Sequence, residues 1–164
     1  MKLEEWFRFG VIRGLIAAVL VAIMLVAYGS TTATVISASD VFALIPSDVT
    51  LEPWQFLVLM ISAFILLVFF SGLIYVMGGW IVNKYGLANK GLNKVLLAGV
   101  IGVVVFSIIV TIVVFLLINP LMPDIAMAYF VGNIAAIPVA VIFEMGFATA
   151  VYAMYKWSGW SVPT

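Results

Sequence analysis

Two residue types are missing from this sequence of 164 residues. It has no cysteine, so disulfides, thiol nucleophiles and thiolate metal sites are excluded. It has no histidine, which removes the commonest general base and the imidazole ligand of haem. The sequence also has no glycine-rich phosphate loop and no nucleophile–base pair. We therefore expect a protein that is not an enzyme and that holds no cofactor and no metal.

Charge is scarce as well. Charged residues make up 9% of the chain and hydrophobic residues 66%, where soluble domains have about 25% and about 45–50%. Four apolar stretches are each long enough to cross a hydrocarbon layer of about 30 Å; they cover residues 15–28 with a weakly polar tail, 56–82, 95–118 and 125–155. Unpaired peptide groups cost several kcal/mol in lipid, which favours helices. The sequence predicts an all-α integral membrane protein with four transmembrane helices.

The few basic residues occupy three places that lie on one side of the membrane if the chain crosses it four times. They are Lys2, Arg8, Arg13, Lys84, Lys90, Lys94 and Lys156. The positive-inside rule makes this side cytoplasmic, with both termini on it. The lipid bilayer is the expected partner, with anionic head groups favoured at the basic side. No nucleic acid is expected. The location is a cell membrane or, if the protein is viral, a virion membrane or shell.

A short motif occurs twice, as IYVMGGW at 74–80 and as VYAMYKW at 151–157. The same offset of 77 residues gives 14 identities in 74 aligned pairs. This predicts one membrane domain, 1–164, made of two tandem helical hairpins, about 10–83 and 87–160, related by a pseudo-two-fold axis along the membrane normal. The alternative is convergence on an aromatic and basic belt at the membrane interface. The belt residues are Tyr75, Trp80, Lys84, Tyr152, Lys156 and Trp157.

The polar segment 29–43 looks like a loop, but at the same offset it aligns with residues of the third span that are predicted to be helical. This alignment predicts a first helix from about residue 9 to residue 42. Asp124 follows a matched proline and is expected to be the N-cap of the fourth helix, as Ser47 or Asp48 is for the second. Thr50 followed by Pro53 is another possible start of the second helix, because proline is tolerated in a first turn.

Small residues recur at four-residue spacing. Such rows let helix backbones approach closely in lipid, where no hydrophobic drive brings helices together. The main candidates for helix packing are Gly10, Gly14, Ala98, Gly102, Gly132, Ala136 and Gly146. They pack the chain internally or against another copy, and the sequence supports both uses.

The most informative single residue is Glu144. It lies 12 or 13 residues before Lys156 and Trp157, about 18–20 Å along a helix and so near the bilayer midplane. We expect no basic residue at that depth, so the predicted form is a neutral carboxyl that donates a hydrogen bond. The expected polar neighbours at the same height are Tyr28, Ser71 and Ser107. Two readings stay open: a proton or cation site, or a polar clasp between helices or subunits.

A proline and a glycine predict changes in the course of the helices. Pro138 frees the carbonyl of Ile134 and predicts a kink, with Asn133 as a local hydrogen-bond partner. Gly86 predicts the end of the second helix.

We expect a structural or assembly protein: a subunit of a larger membrane complex, or a protein that self-associates in a membrane, envelope or shell. The alternative is a small proton or cation channel or carrier that uses Glu144. The sequence identifies no small-molecule substrate.

Overall fold

The computed structural model describes residues 2–31, 53–89 and 91–163. These residues form four helices: α1 (Leu3–Thr31), α2 (Pro53–Tyr85), α3 (Leu92–Ile118) and α4 (Pro123–Trp157). Phe64–Tyr85 of α2, all of α3 and all of α4 are long and apolar enough to cross a membrane. The chain therefore has the helices of an integral membrane protein, as the sequence predicts.

The helices pack in chain order. α1 contacts α2, α2 contacts α3, α3 contacts α4, and α1 also contacts α4, which closes the bundle. The tandem repeat, the fourth crossing and the orientation of the termini stay predictions.

The buried core lies at one end of the bundle. It is built from the beginnings of α1 and α3 and the ends of α2 and α4. Its members are Trp6, Phe9, Tyr75, Val82, Val95, Ala98, Ala148, Val151 and Tyr155. Away from this end, large apolar side chains such as Leu117 and Ile142 are exposed. Exposed apolar surface of this kind suits helices that face lipid or other helices.

Helix ends follow local chemistry. α2 and α4 begin at Pro53 and Pro123, because proline is well tolerated at the first helical position, where no intrahelical N–H bond is lost. The N-cap of α4 is Met122. The expectation that Asp124 is the cap is wrong: it lies in the first turn, where its carboxylate still favours the helix dipole. Gly86 ends α2 with a φ of 59°, which confirms that prediction.

The first helix begins earlier than expected, at Leu3 and not near Phe9. It continues through Gly29, Ser30 and Thr31, so the start of the polar segment is helical. The predicted extension to residue 42 and the capping by Ser47 or Asp48 lie outside the described residues.

Close helix contact depends on glycine where α1 meets α2. A Cβ on Gly10 would overlap the carbonyl oxygen of Ser71, and one on Gly14 would lie 2.8 Å from the Ser71 Cβ. The α2–α3 contact is similar, since a Cβ on Gly102 would overlap the carbonyl oxygen of Ile74. These predicted packing positions therefore serve contacts within the chain.

The small residues of α4 behave differently. A Cβ on Gly132 or on Gly146 would have no atom of the described residues within 4 Å. Ala136, between them, is exposed. The row predicted on α4 thus does not pack against the described part of its own chain.

Candidate functional site

Glu144 connects three helices. It lies on α4 and its residue is 1% exposed. Its Oε2 is 2.5 Å from Nη2 of Arg13 on α1, and its Oε1 accepts a hydrogen bond of 2.6 Å from the hydroxyl of Tyr75 on α2. We call Arg13, Tyr75 and Glu144 the Glu144 clasp. Both oxygens of the carboxyl group are engaged by donors from other helices.

Helix α3 packs closely against the Glu144 clasp. Gly99 of α3 lies against the clasp, and a Cβ there would be 2.8 Å from both the Glu144 Oε1 and the Tyr75 hydroxyl. Such an approach is closer than van der Waals contact allows, so glycine permits α3 to close over the hydrogen bond. All four helices therefore meet at this point.

Arg13 also contacts an aromatic ring. Its side chain is 15% exposed, and its guanidinium lies 5.0 Å from the centroid of the Phe147 ring, a distance suited to a cation–π interaction. Among the described residues, the Nε of Arg13 and the Oγ of Ser71 are buried polar atoms without a hydrogen-bond partner. Two buried polar groups next to the Glu144 clasp are therefore free to form further hydrogen bonds.

The expectation that no cation lies at the depth of Glu144 is wrong. Because α1 begins at Leu3, Arg13 is about 15 Å along the helix and inside the bundle, not ahead of it. An arginine and a phenol that both donate to the carboxyl fit an ionised carboxylate, so the neutral hydrogen-bond donor expected from the sequence is not what the geometry shows.

The polar neighbours predicted for Glu144 lie apart from it. Ser107 is half-buried on α3, eight residues beyond Gly99 and so about 12 Å further along. The backbone of Tyr28 is helical, fifteen residues beyond Arg13 and about 22 Å further along; its side chain lies outside the described residues. Ser71 is buried one helical turn from the tyrosine of the clasp, but it makes no hydrogen bond to the carboxyl group.

The residues of the predicted belt differ in exposure. Four of its six residues are exposed: Trp80, Lys84, Lys156 and Trp157. The Nζ of Lys84 lies 4.5 Å from the Trp80 ring centroid, as expected for a snorkelling lysine. Tyr152 is half-buried. Tyr75 is fully buried, so its assignment to the belt is wrong: its hydroxyl is used inside the bundle by Glu144.

The proline for which a kink is predicted, Pro138, lies in the middle of α4. The helix continues through Pro138. The side-chain amide of Asn133 donates 2.9 Å to the carbonyl of Tyr129, so it does not serve the carbonyl of Ile134 as expected. The kink at Pro138 stays a prediction.

Fold and site together define a class: a helical membrane protein whose helices are joined by a buried ion pair. No family model matches the sequence, and no curated protein or solved structure matches it either.

Proposed function

We propose that this protein is a non-enzymatic multi-pass membrane protein that acts as a structural or assembly component. In this proposal four transmembrane helices form two tandem hairpins with both termini on the cytoplasmic side. The bundle associates laterally, with copies of itself or with other membrane subunits. The observation that carries the proposal is the Glu144 clasp, which uses the intramembrane carboxyl group as a fastener between helices.

The contacts of the carboxyl group support a structural role. Two donors occupy both oxygens of Glu144, and the residue is almost fully buried. A transported ion needs an open coordination site and a path to it. A structural contact between helices is instead most stable when both carboxylate oxygens have donors. Intramembrane charges are costly unless they are paired, and the pairing with Arg13 offsets part of that cost while joining α1 to α4.

The second support is the surface of α4. At about 100° per residue, every exposed glycine and alanine of this helix lies within about 60° of Gly132. These residues, the α4 small-residue face, are Ala128, Gly132, Ala135, Ala136, Gly146, Ala150 and Ala153. The buried alanines, Ala126 and Ala148, lie on the opposite side. A face of this kind suits close approach of a further helix.

The test is the mass of the native particle. Extraction in a mild detergent, followed by light scattering with the mass of bound detergent subtracted, should give a protein mass several times that of the 17.8 kDa chain. Gly132→Leu and Gly146→Leu should reduce that mass with the helical circular dichroism unchanged, because neither Cβ meets the described chain. Thr149→Leu adds bulk at an exposed position about 100° away on α4 and serves as the control. A monomeric wild-type protein would contradict the proposal.

The second candidate function is a small proton or cation channel or carrier that uses Glu144. The unpartnered Oγ of Ser71, which is buried one helical turn from Tyr75, favours it, since a hydroxyl oxygen can accept a hydrogen bond or coordinate a cation. Liposomes that contain the protein should then pass protons or cations, and Glu144→Gln should abolish the flux. Liposomes that stay tight with the wild-type protein would exclude this candidate.

A further inference from the structure

The N-terminus of α3 has backbone amides without partners. Its N-cap is Gly91, and no side chain caps this end of the helix by a hydrogen bond. The amide of Val95 donates 3.4 Å to the carbonyl of Gly91. The amides of Leu92, Asn93 and Lys94 precede this bond and have no acceptor within the helix. Asn93 is exposed and Gly91 is half-buried, so a ligand can reach the free amides from outside the bundle.

The side chain of Lys94 is buried at the same end of α3. The residue is 8% exposed, although it forms no ion pair and no hydrogen bond with the described residues. Lysine is almost never fully buried unless it is paired. Helical side chains incline toward the N-terminus of their helix, so the stem of Lys94 runs back along the turn that carries the free amides. Its ammonium nitrogen is not among the fully buried polar atoms and can therefore contact a ligand.

A tyrosine of α4 adds a hydroxyl group at this turn. A Cβ on Gly91 would lie 3.6 Å from the hydroxyl oxygen of Tyr152, so the hydroxyl lies beside the N-cap of α3. Tyr152 is half-buried and forms no hydrogen bond with the described residues. Its hydroxyl group is not among the fully buried polar atoms either. The first turn of α3 therefore combines free amides, an ammonium group and a hydroxyl group, all of them donors.

The local charge is positive and has no balancing acid nearby in the chain. The sequence contains no aspartate or glutamate in α2, in α3 or in the loop between them, and none after Glu144. Glu144 itself is paired with Arg13. The N-terminus of a helix carries about +0.5 of an elementary charge, which makes a lysine in the first turn unfavourable and an anion favourable. A bound anion would compensate both charges.

We propose that the N-terminus of α3 binds a phosphate group. The amides of Leu92 and Asn93 donate to its oxygens, the ammonium group of Lys94 pairs with it, and the hydroxyl of Tyr152 donates to it. Helix α3 is long and apolar enough to cross a membrane, so its first turn lies at the level of phospholipid head groups, where soluble phosphate esters also reach it. The site lies within one chain and does not depend on lateral assembly.

The test uses the full chain, stripped of lipid in a phosphate-free maltoside detergent. Short-chain phosphatidylglycerol is titrated in, and bound lipid is counted by native mass spectrometry. Diacylglycerol of the same chain length lacks phosphate and should be retained far less. Inorganic phosphate at millimolar concentration distinguishes the two sources: displacement of the lipid indicates that the free anion suffices, and persistence indicates that the lipid is the ligand.

Two substitutions each remove one donor of the site. Lys94→Met keeps the buried stem without the ammonium group, and Tyr152→Phe removes only the hydroxyl group. Each should weaken phosphatidylglycerol binding about tenfold or more. Lys84→Met and Tyr85→Phe are the matched controls, because both residues are exposed at the end of α2, and these variants should bind as the wild type does. The lysine control separates a defined site from general attraction between a basic surface and anionic lipid.

Hydrogen exchange gives a second measurement on the same samples. The amides of residues 92–94 should exchange more slowly with phosphatidylglycerol than with diacylglycerol, because the bound phosphate accepts their hydrogen bonds. Three results would overturn the proposal: equal retention of diacylglycerol, unchanged affinity in both Lys94→Met and Tyr152→Phe, or equal losses of affinity in Lys84→Met and Lys94→Met.

Discussion

Replacing Arg13 by methionine tests the Glu144 clasp most directly. The change removes the guanidinium and keeps an apolar stem of similar reach, so it leaves a carboxyl group that is 1% exposed without its cation. Breaking a buried pair by removing one partner costs about 3–5 kcal/mol. We therefore expect the free energy of unfolding to fall by about that amount.

The magnitude follows from the geometry. At an effective dielectric constant of about 20, unit charges about 4 Å apart attract by about 4 kcal/mol. A hydrogen bond to a charged group contributes about 1.5–3 kcal/mol. The ion pair of Arg13 with Glu144 should therefore contribute more than the hydrogen bond from Tyr75.

The assay is unfolding in mixed micelles of increasing dodecyl sulfate content, followed by circular dichroism. Arg13→Met and Glu144→Leu are compared singly and together, because the double variant removes both charges and should be more stable than either single variant. Arg8→Met is the matched control, since this arginine is exposed and its loss should cost less than about 1 kcal/mol. Single variants that each cost less than about 1 kcal/mol and add independently would refute the clasp.

The remaining predictions concern the same site. Tyr75→Phe removes the hydrogen bond to Glu144 and should lower the free energy of unfolding by about 1.5–3 kcal/mol in the same titration; a loss larger than that of the arginine variant would show that the tyrosine, not the arginine, carries the clasp. Gly99→Ala places a Cβ 2.8 Å from two oxygens of the clasp and should destabilise by about 1–3 kcal/mol. Gly146→Ala is its control, and equal effects of the two would contradict the packing described for α3.

Much of the architecture was predictable because lipid leaves the backbone few choices. Long apolar stretches must form helices to satisfy their peptide groups, and three of the four expected spans appear as helices of the required length and apolarity. Gly86 was predictable for a local reason, since only glycine takes a left-handed conformation cheaply. The sequence predicts that Gly10 and Gly14 serve close helix packing. It does not predict which helix they contact, because that depends on how α1 and α2 are arranged.

The partner of Glu144 was missed because Arg13 looks like a topology determinant that precedes a span. The helical face of α1 carried a usable signal. Arg13 and Ala17 each lie within about 20° of Trp6 around the helix at about 100° per residue, and both Trp6 and Ala17 are buried. An arginine on the buried face of a helix requires an acid, and Glu144 is the acid within the apolar part of the sequence.

The repeated motif shows a limit of sequence identity. Tyr75 and Tyr152 occupy the same place in the two copies, yet Tyr75 is buried in the clasp and Tyr152 is half-buried. The difference arises from neighbours, since α2 packs between α1 and α3 while one side of α4 faces outward. Position 67, which aligns with Glu144, is leucine. The repeat therefore predicts helices of the same type without predicting the same contacts.

The contacts of α4 and its unused small residues lie on different sides of the helix. On the buried side, the Glu144 clasp joins α1, α2 and α4 through one carboxylate. On the exposed side, α4 carries small residues that the described chain does not use, among them Gly132 and Gly146. The Glu144 clasp keeps α4 in a fixed orientation. The α4 small-residue face needs a fixed orientation to meet a partner helix in register. The stability of the clasp and the mass of the native particle should therefore change together when Arg13 is replaced.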